Sequence, residues 1–309
     1  MSLHIHTPVI QSLRLSRSLS ANVWLKIEAL QPSGSFKTRG VGYACETYVG
    51  QGAKAFISSS GGNAGLAVAY AGRRLNVPVT VVVPTTTKQS AIELITLEGA
   101  TVIVHGQSWL EAHEYALEKV SEEVIYIHPF DDPLLWQGHA SLIDEVVEDG
   151  VTPDLVVLSV GGGGLLAGVV EGLLRNNLKH VPVLAVETKG ADSFAQAVNS
   201  DQHVALANIS SIATSLGATK VSEHAFTLAK THPIHSHVVT DKQAVSACLQ
   251  FLSDNRLLVE PACGASLAAV YDADKQVLDI FADKKNILVV VCGGVGASIE
   301  QLNDWNSSL

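Results

Sequence analysis

The sequence predicts an α/β fold of two lobes, each a mostly parallel sheet flanked by helices. Short Val- and Ile-rich segments alternate with helix-length segments over most of the 309 residues, which is the pattern of strand–helix–strand units. The short segments are almost continuously apolar, as are strands that helices cover on both faces. Because the strands fall into two groups separated near Pro133, we expect a functional site between the lobes.

The individual elements follow from the same pattern. Strands are predicted at Val23–Ile27, Ala55–Ser59, Val79–Val83, Thr101–His105, Val124–Ile127, Leu155–Val160, Val183–Glu187 and Ile287–Val291. Helices between them are predicted at Ala64–Leu75, Ser90–Leu97, Leu110–Val120 and Gly164–Arg175. His232, His235 and His237 are interpreted as part of a polar loop. Pro233 interrupts any helical spacing there, and no Cys or acid completes a zinc site.

The composition argues against several classes of partner. Lys and Arg number 20 against 30 Asp and Glu, and the net charge of −10 opposes binding to nucleic-acid phosphates or to anionic membrane surfaces. No apolar segment approaches the ~20 residues that span a bilayer. The cysteines (Cys45, Cys248, Cys263 and Cys292) show no CxxC spacing, which suits a reducing compartment. We therefore expect a soluble, cytoplasmic protein.

The first motif that can carry chemistry surrounds Lys37. It reads Pro-Ser-Gly-Ser-Phe-Lys-Thr-Arg-Gly from residue 32 to residue 40 and follows the strand that ends at Ile27. A lysine at such a turn is often only a solvated surface lysine. The apolar Phe36 directly before Lys37 favours a partly buried position instead, and burial disfavours the ammonium and yields a more nucleophilic amine. Schiff-base chemistry needs such an amine.

The second motif is a serine- and glycine-rich loop between a strand and a helix. It reads Ser-Ser-Ser-Gly-Gly-Asn-Ala-Gly from Ser58 to Gly65. Free N–H groups at a helix start, together with hydroxyl and amide side chains, form a site for an anion. A helix N-cap followed by a flexible turn explains the motif equally well.

The third motif is the run of four glycines from Gly161 to Gly164, which follows an apolar strand and opens a helix. Such a backbone can wrap a phosphate at a helix N-terminus. The run lacks the GxGxxG spacing of a dinucleotide site, but Glu187 ends the next strand, where a ribose-binding acid would lie. On this motif alone, an NAD-dependent dehydrogenase therefore remains an alternative.

In this order, the three motifs resemble those of the tryptophan-synthase β family of pyridoxal-phosphate (PLP) enzymes, also called fold type II. Within that family the chain is similar to the eukaryotic-type L-serine dehydratase / L-threonine deaminase branch. Supporting segments are Thr7-Pro8, Pro129–Pro133, Trp136–Ser141, Val259–Ala265 and Val290–Gly294. The resemblance implies a large PLP-binding domain of residues 1–38 and 133–309 and a small domain of residues 39–132.

The resemblance also implies which residues hold the cofactor. Lys37 would form the Schiff base with PLP and act as general base, while Phe36 and Ser215 would lie against the two faces of the pyridine ring. Asn63 would hydrogen-bond the 3′-oxygen, and Cys292 would meet the pyridine nitrogen. The phosphate would lie on the backbone of Gly161, Gly162, Gly163 and Gly164 and on the amide of Leu165. Because a thiol cannot fully protonate pyridine, such a ring is a weak electron sink, which suits β-elimination.

The substrate and the reaction are implied in the same way. Ser60, Gly61, Asn63 and Ala64 would hold the carboxylate of an amino acid, with Ser60 also a candidate catalytic residue. The implied activity is that of an ammonia-lyase, which converts L-serine to pyruvate and ammonia and L-threonine to 2-oxobutanoate. Gly61 stands where serine racemases of this fold carry an acid/base serine, so we expect little racemisation.

A monovalent cation, potassium, and a homodimer are further implications of the resemblance. The cation ligands would be Gly161, Glu187, Ala191, Leu216 and Ala218. Oxygen donors suit an alkali ion, although a cap at a strand end explains Glu187 as well. Glu260 is expected only to pack near the surface between the lobes. The alternatives that stay open are a catalytically weak PLP-binding protein and a serine racemase or β-replacement enzyme of the same fold.

Overall fold

A computed structural model describes residues 2–309. The strands are β1 (Val9–Gln11), β2 (Asn22–Ile27), β3 (Ala55–Ser58), β4 (Val79–Val83), β5 (Thr101–Val104), β6 (Val124–Tyr126), β7 (Leu155–Ser159), β8 (Val183–Thr188), β9 (Ile234–Val239) and β10 (Asn286–Val291). The helices are α1 (Leu13–Leu19), α2 (Lys37–Gly50), α3 (Asn63–Leu75), α4 (Gln89–Leu97), α5 (Trp109–Leu117), α6 (Pro133–Glu148), α7 (Gly164–Arg175), α8 (Ser193–Ser200), α9 (Glu223–Thr231), α10 (Asp241–Asn255), α11 (Pro261–Tyr271), α12 (Lys275–Phe281) and α13 (Ile299–Ser308). Over these residues, no helix combines the length and the hydropathy that crossing a bilayer requires.

The strands form two sheets. The larger has the order β1-β2-β10-β7-β8-β9 and the smaller the order β5-β4-β3-β6. Strand β1 runs antiparallel to β2, whereas all other neighbouring strands are parallel. The predicted α/β architecture of parallel sheets flanked by helices is confirmed. Strand β2 joins the larger sheet although it precedes the smaller one in the chain, which suits a discontinuous large domain. The domain boundaries themselves stay a prediction.

The predicted strands are all present, each within one residue of its predicted ends. The interpretation of the histidine segment as a polar loop is wrong, because His235 and His237 lie in strand β9. This strand is at the edge of the larger sheet, where one face meets water and tolerates polar side chains. The central strands β7 and β8 are buried at every residue. Burial on both faces explains why their apolar runs predicted these strands correctly.

Parallel strands place the three motifs at related positions. Helix α2 begins at Lys37 after the segment that follows β2, and α3 and α7 begin soon after β3 and β7. Cys292 directly follows β10. Because the carboxyl ends of parallel strands share one edge of a sheet, and ligands bind outside that edge, the fold directs each motif towards the space between the sheets.

A buried ion cluster ties the N-terminal segment to helices α2 and α6. Arg39 donates hydrogen bonds to Glu28 at 2.7 Å and to Glu145 at 2.6 Å. Lys26 donates to Glu145 and to the carbonyl of Thr7, both at 2.6 Å. The side chains of Lys26, Arg39 and Glu28 are completely buried. Two cations face two carboxylates, so the cluster buries its charges in compensating pairs.

Candidate functional site

The lysine motif is joined to the end of strand β10. The Phe36 N–H donates to the carbonyl of Cys292 at 3.1 Å, and the Gly294 N–H donates to the carbonyl of Gly34 at 2.8 Å. These bonds hold the turn before helix α2 against the chain that leaves the larger sheet. Lys37, the first residue of that helix, therefore directly follows a backbone segment that these hydrogen bonds hold in place.

The Lys37 amine contacts the segment that precedes helix α6. Its Nζ donates a hydrogen bond to the carbonyl of Pro129 and lies 5.1 Å from the centroid of the Phe36 ring. Burial lowers the pKa of the Lys37 ammonium from its ordinary value to about 8, because the charged form loses its hydration. The amine is thus substantially neutral at slightly alkaline pH, as nucleophilic or general-base chemistry requires.

The glycine loop lies under Phe130, the residue after Pro129. A Cβ on Gly162 would come within 2.2 Å of the Phe130 ring, and Gly163 adopts a φ of +92°, so both positions need glycine. Across residues 2–309, no acceptor is present for the backbone N–H groups from Gly161 to Leu165. Free donors at the start of helix α7 form a site for an anion such as a phosphate.

Asn63 connects the start of helix α3 to residues outside the small sheet, which lie before helix α11 and after strand β10. Its amide nitrogen donates to Glu260 at 2.8 Å and, more weakly, to the Ser215 hydroxyl at 3.4 Å. Its amide oxygen accepts from the Val295 N–H at 3.1 Å. The structure therefore brings the predicted residues Asn63 and Ser215 together.

Glu260 does more than the packing expected of it. Besides Asn63, it binds the Gly296 N–H at 2.7 Å, and it is buried. Burial raises the pKa of this carboxyl, against the opposing effect of its hydrogen bonds. The Glu-Pro step before helix α11 was the only sequence signal for it, and that step does not reveal a partner almost two hundred residues away.

The serine-rich loop is close to Thr87, which lies between strand β4 and helix α4. Ser60 Oγ accepts a hydrogen bond from the Gly62 N–H at 3.3 Å, and Ala64 is buried in the first turn of α3. A Cβ on Gly61 would lie 2.7 Å from Thr87 Cγ2. A side chain at position 61 therefore requires Thr87 to move.

Neighbouring side chains determine the surroundings of the Phe36 ring and the protonation state of the Cys292 thiol. The Phe36 ring lies 4.9 Å from the ring of His139, whose Nδ1 accepts the Gly40 N–H at 3.1 Å. A hydrogen bond with Cys263 and burial raise the pKa of the Cys292 thiol well above its ordinary value. Cys292 is therefore a neutral thiol, as the sequence argument on weak protonation of a pyridine assumed.

The predicted cation ligands are partly brought together. A Cβ on Gly161 would be 3.0 Å from Leu216 Cα, so these two backbones are adjacent. Glu187 is buried and accepts the N–H groups of Phe194 and Ala195 at 2.9 and 2.7 Å. Burial raises its pKa to about 8. The remaining predicted ligands are Ala191, which is buried, and Ala218, whose N–H donates to the Leu216 carbonyl. A shared cation shell stays a prediction.

The residues present fit PLP. The free N–H groups of the glycine loop suit a phosphate, and the amine of Lys37 suits an aldehyde. Both lie against the single turn formed by Pro129 and Phe130. The neutral thiol of Cys292 is carried by the same chain segment that fixes Phe36. These features are the donor set that an aldehyde-bearing phosphate ester requires.

Comparison with known proteins agrees with this geometry. The family model described as "Pyridoxal-phosphate dependent enzyme" matches residues 1–293. The chain is 46% identical to the L-serine dehydratase of Dictyostelium discoideum, over 99% of this chain and 93% of that one. It is 47% identical to the human L-serine dehydratase/L-threonine deaminase, over 99% and 96%. The solved fungal L-serine ammonia-lyase from Rhizomucor miehei superposes with a TM-score of 0.93 at 35% identity, covering 99% of both chains.

Proposed function

The chain belongs to the pyridoxal-phosphate dependent enzyme family, and on that basis we propose that it is an ammonia-lyase. It eliminates the β-hydroxyl of L-serine to give pyruvate and ammonia, and that of L-threonine to give 2-oxobutanoate. The names of its relatives support these substrates. The observation that carries the proposal is the buried Lys37 amine, with its pKa lowered to about 8, beside a glycine loop with free N–H donors.

We propose that the predicted residues hold the cofactor. The N–H groups from Gly161 to Leu165 would bind the phosphate, Phe36 and Ser215 would lie against the ring, and Asn63 would hydrogen-bond its hydroxyl oxygen. Cys292 would meet the ring nitrogen as a neutral thiol. When bound, PLP supplies the electron sink that makes the substrate's Cα–H acidic.

The chain's own part in the reaction is orientation and proton transfer. Ser60, Gly61, Asn63 and Ala64 would bind the substrate carboxylate through N–H and hydroxyl donors of their loop. Lys37 Nζ takes the proton from Cα, and its lowered pKa suits that role at slightly alkaline pH. The carbonyl of Pro129, which accepts from Nζ in the protein without cofactor, is placed to hold the amine while it is free to transfer the proton.

The test is product analysis with purified, PLP-saturated protein. Incubation with L-serine and L-threonine is expected to release 2-oxo acid and ammonia in equal amounts, whereas D-serine is expected to release little. Free PLP without protein is the control. Absence of 2-oxo acid would favour the catalytically weak PLP-binding alternative, and incorporation of an added thiol into the product would favour β-replacement.

The Gly61–Thr87 contact predicts how racemisation depends on two positions. We expect Gly61→Ser to raise D-serine formation relative to elimination, but only weakly, because its Cβ meets Thr87 at 2.7 Å. The double variant Gly61→Ser/Thr87→Ala removes that clash and is expected to form D-serine about tenfold faster than the single variant. Chiral chromatography measures both enantiomers, and Thr87→Ala alone is the control. Equal D-serine formation in all three variants would contradict the prediction.

The cation proposal predicts a dependence on potassium. Glu187 is the one proposed ligand that can carry a charge, and because burial raises its pKa to about 8, binding of the cation would be coupled to loss of its proton. The other proposed ligands are Gly161, Ala191, Leu216 and Ala218. Replacing potassium with tetramethylammonium at constant ionic strength is expected to lower kcat by about tenfold. Glu187→Gln is expected to have low activity that no longer responds to potassium. Equal activity of the unaltered protein in the two buffers would overturn the site.

Three coarser expectations complete the proposal. We expect a homodimer, on the family resemblance, and sedimentation equilibrium measures the oligomeric state.

We place the protein in the cytoplasm because its cysteines are free and buried, as in reducing compartments. We assign residues 1–38 and 133–309 to a large domain and residues 39–132 to a small one, since β3 to β6 form their own sheet.

A further inference from the structure

The turn from His128 to Asp131 is closed by the side chain of its own first residue. The Nδ1 atom of His128 accepts hydrogen bonds from the N–H of Phe130 at 3.2 Å and from the N–H of Asp131 at 2.7 Å. Asn and Asp close turns in the same way, by accepting N–H groups a few residues ahead. Because both partners are backbone donors, Nδ1 carries no proton and the imidazole is neutral.

The charges around His128 keep it in that neutral form. Burial, followed by the nearby cation of Lys37 and by His113, lowers the pKa of His128 to about 4, and only Asp132 acts in the opposite direction. The acceptor at Nδ1 is therefore present throughout the neutral and alkaline range. Protonation of His128 therefore does not break the hydrogen bonds of this turn in the pH range where Lys37 loses its proton.

This turn contacts both halves of the cofactor site. The carbonyl of Pro129 accepts from Lys37 Nζ, and Phe130 packs against Gly162 and Gly164 of the glycine loop. The carbonyl of Phe130 is fixed in turn by the indole N–H of Trp136 at 3.0 Å. A change in the turn's conformation would move the acceptor of the amine and the wall of the phosphate loop together.

The His128 ring is itself held in a column of rings that reaches the small sheet. It lies edge-on to Phe130 at 4.7 Å and to Tyr126 at 6.1 Å. The Tyr126 hydroxyl is hydrogen-bonded to Ser59 at 2.7 Å and to His113 at 2.9 Å. The column fixes the orientation of the imidazole, so that Nδ1 faces the turn.

We propose that His128 is a positioning residue, which acts through the Pro129 carbonyl to place the Lys37 amine and through Phe130 to shape the glycine loop. Its Nδ1 contacts backbone N–H groups of its own turn and not the Lys37 amine. The inference rests on the proposed function for its catalytic consequence, but not for its effect on Lys37 in the protein without cofactor.

The test compares two substitutions that keep opposite features of the imidazole. His128→Asn keeps an acceptor where Nδ1 lies and removes the ring, whereas His128→Phe keeps the ring and removes the acceptor. We expect His128→Asn to retain kcat for L-serine within about threefold and His128→Phe to lose about 100-fold, since small misplacements of a catalytic group have effects of that size. A residue needed only for packing would give the reverse order.

The second readout is the pKa of Lys37 in the full chain without PLP, measured from the pH dependence of its acylation rate by mass spectrometry. When the Pro129 carbonyl is displaced, the buried Lys37 ammonium loses its hydrogen-bond acceptor. We therefore expect the pKa of Lys37 in His128→Phe to be about one pH unit lower than in the unaltered protein. His128→Asn is expected to leave it unchanged. An unchanged Lys37 pKa in His128→Phe overturns the proposal, whether or not the protein releases pyruvate.

A further variant covers the case in which His128→Phe does not fold, as judged by circular dichroism. His128→Gln carries an acceptor nearer to the Nε2 position and cannot reach both N–H groups. We expect it to behave as described for His128→Phe in both measurements, and wild-type behaviour of His128→Gln would overturn the proposal.

Discussion

Replacing Lys37 with alanine is expected to lower kcat for pyruvate release from L-serine by about 1,000-fold or more. The change removes the only amine that the structure places at the Pro129 carbonyl. Borohydride reduction of the PLP-saturated protein, followed by peptide mass spectrometry, is expected to label Lys37 in the unaltered protein and no residue in the variant. Lys54→Ala, a change at an exposed lysine, is the matched control and is expected to keep full activity.

The pH dependence gives the same residue a second signature. In the protein without PLP, the acylation rate of Lys37 should rise with pH and level off above about 8, the pKa that burial gives its amine, because only the unprotonated amine reacts. A rise centred near the ordinary lysine pKa, or a labelled residue other than Lys37, would contradict the assignment.

Replacing Arg39 with alanine is expected to lower the free energy of unfolding by about 3–5 kcal/mol. The change leaves the carboxylates of Glu28 and Glu145 facing each other without the cation that both bind, at 2.7 and 2.6 Å. Lys26 remains bonded to Glu145, whereas Glu28 keeps only neutral donors from Thr7 and Gln31. Urea denaturation followed by circular dichroism measures the loss.

The control for Arg39 is an arginine whose ion pair is exposed. Arg175 pairs with Asp144, and its side chain is 45% exposed, so Arg175→Ala is expected to change the free energy of unfolding by less than about 1 kcal/mol. Equal losses for the two variants would mean that the buried cluster contributes no more than a surface pair.

The fold could be predicted from the sequence where burial is two-sided. Strands such as β7 and β10 have continuous apolar runs because helices cover both faces of a parallel sheet. The short antiparallel strand β1 and the edge strand β9 escaped prediction, since a three-residue strand has no measurable period and β9 contains the polar run His-Ser-His, which has neither alternation nor continuous apolar character. Their positions are fixed by pairing with β2 and β8.

The candidate site was predictable where residues adjacent in the chain share one task. Lys37 with Phe36, and the glycines before helix α7, each form one local motif. Glu260 and His128 were not recognised, because each acts through a partner that no spacing reveals. Glu260 meets Asn63 across the two lobes. His128 acts on Lys37 through the carbonyl of the residue after it, and a backbone carbonyl leaves no trace in the amino-acid type.

By itself, the sequence determined the alternation of strands and helices, the three glycine-bearing motifs and the family resemblance. All of these are encoded in local residue types, and local patterns reflect burial and backbone freedom directly. Only the tertiary structure decided that the Lys37 amine meets the Pro129 carbonyl, that Thr87 occupies the space beside Gly61, and that two carboxylates converge on Arg39. Those contacts join segments far apart in the chain, and their energies depend on distance and desolvation, which exist only once the chain has folded.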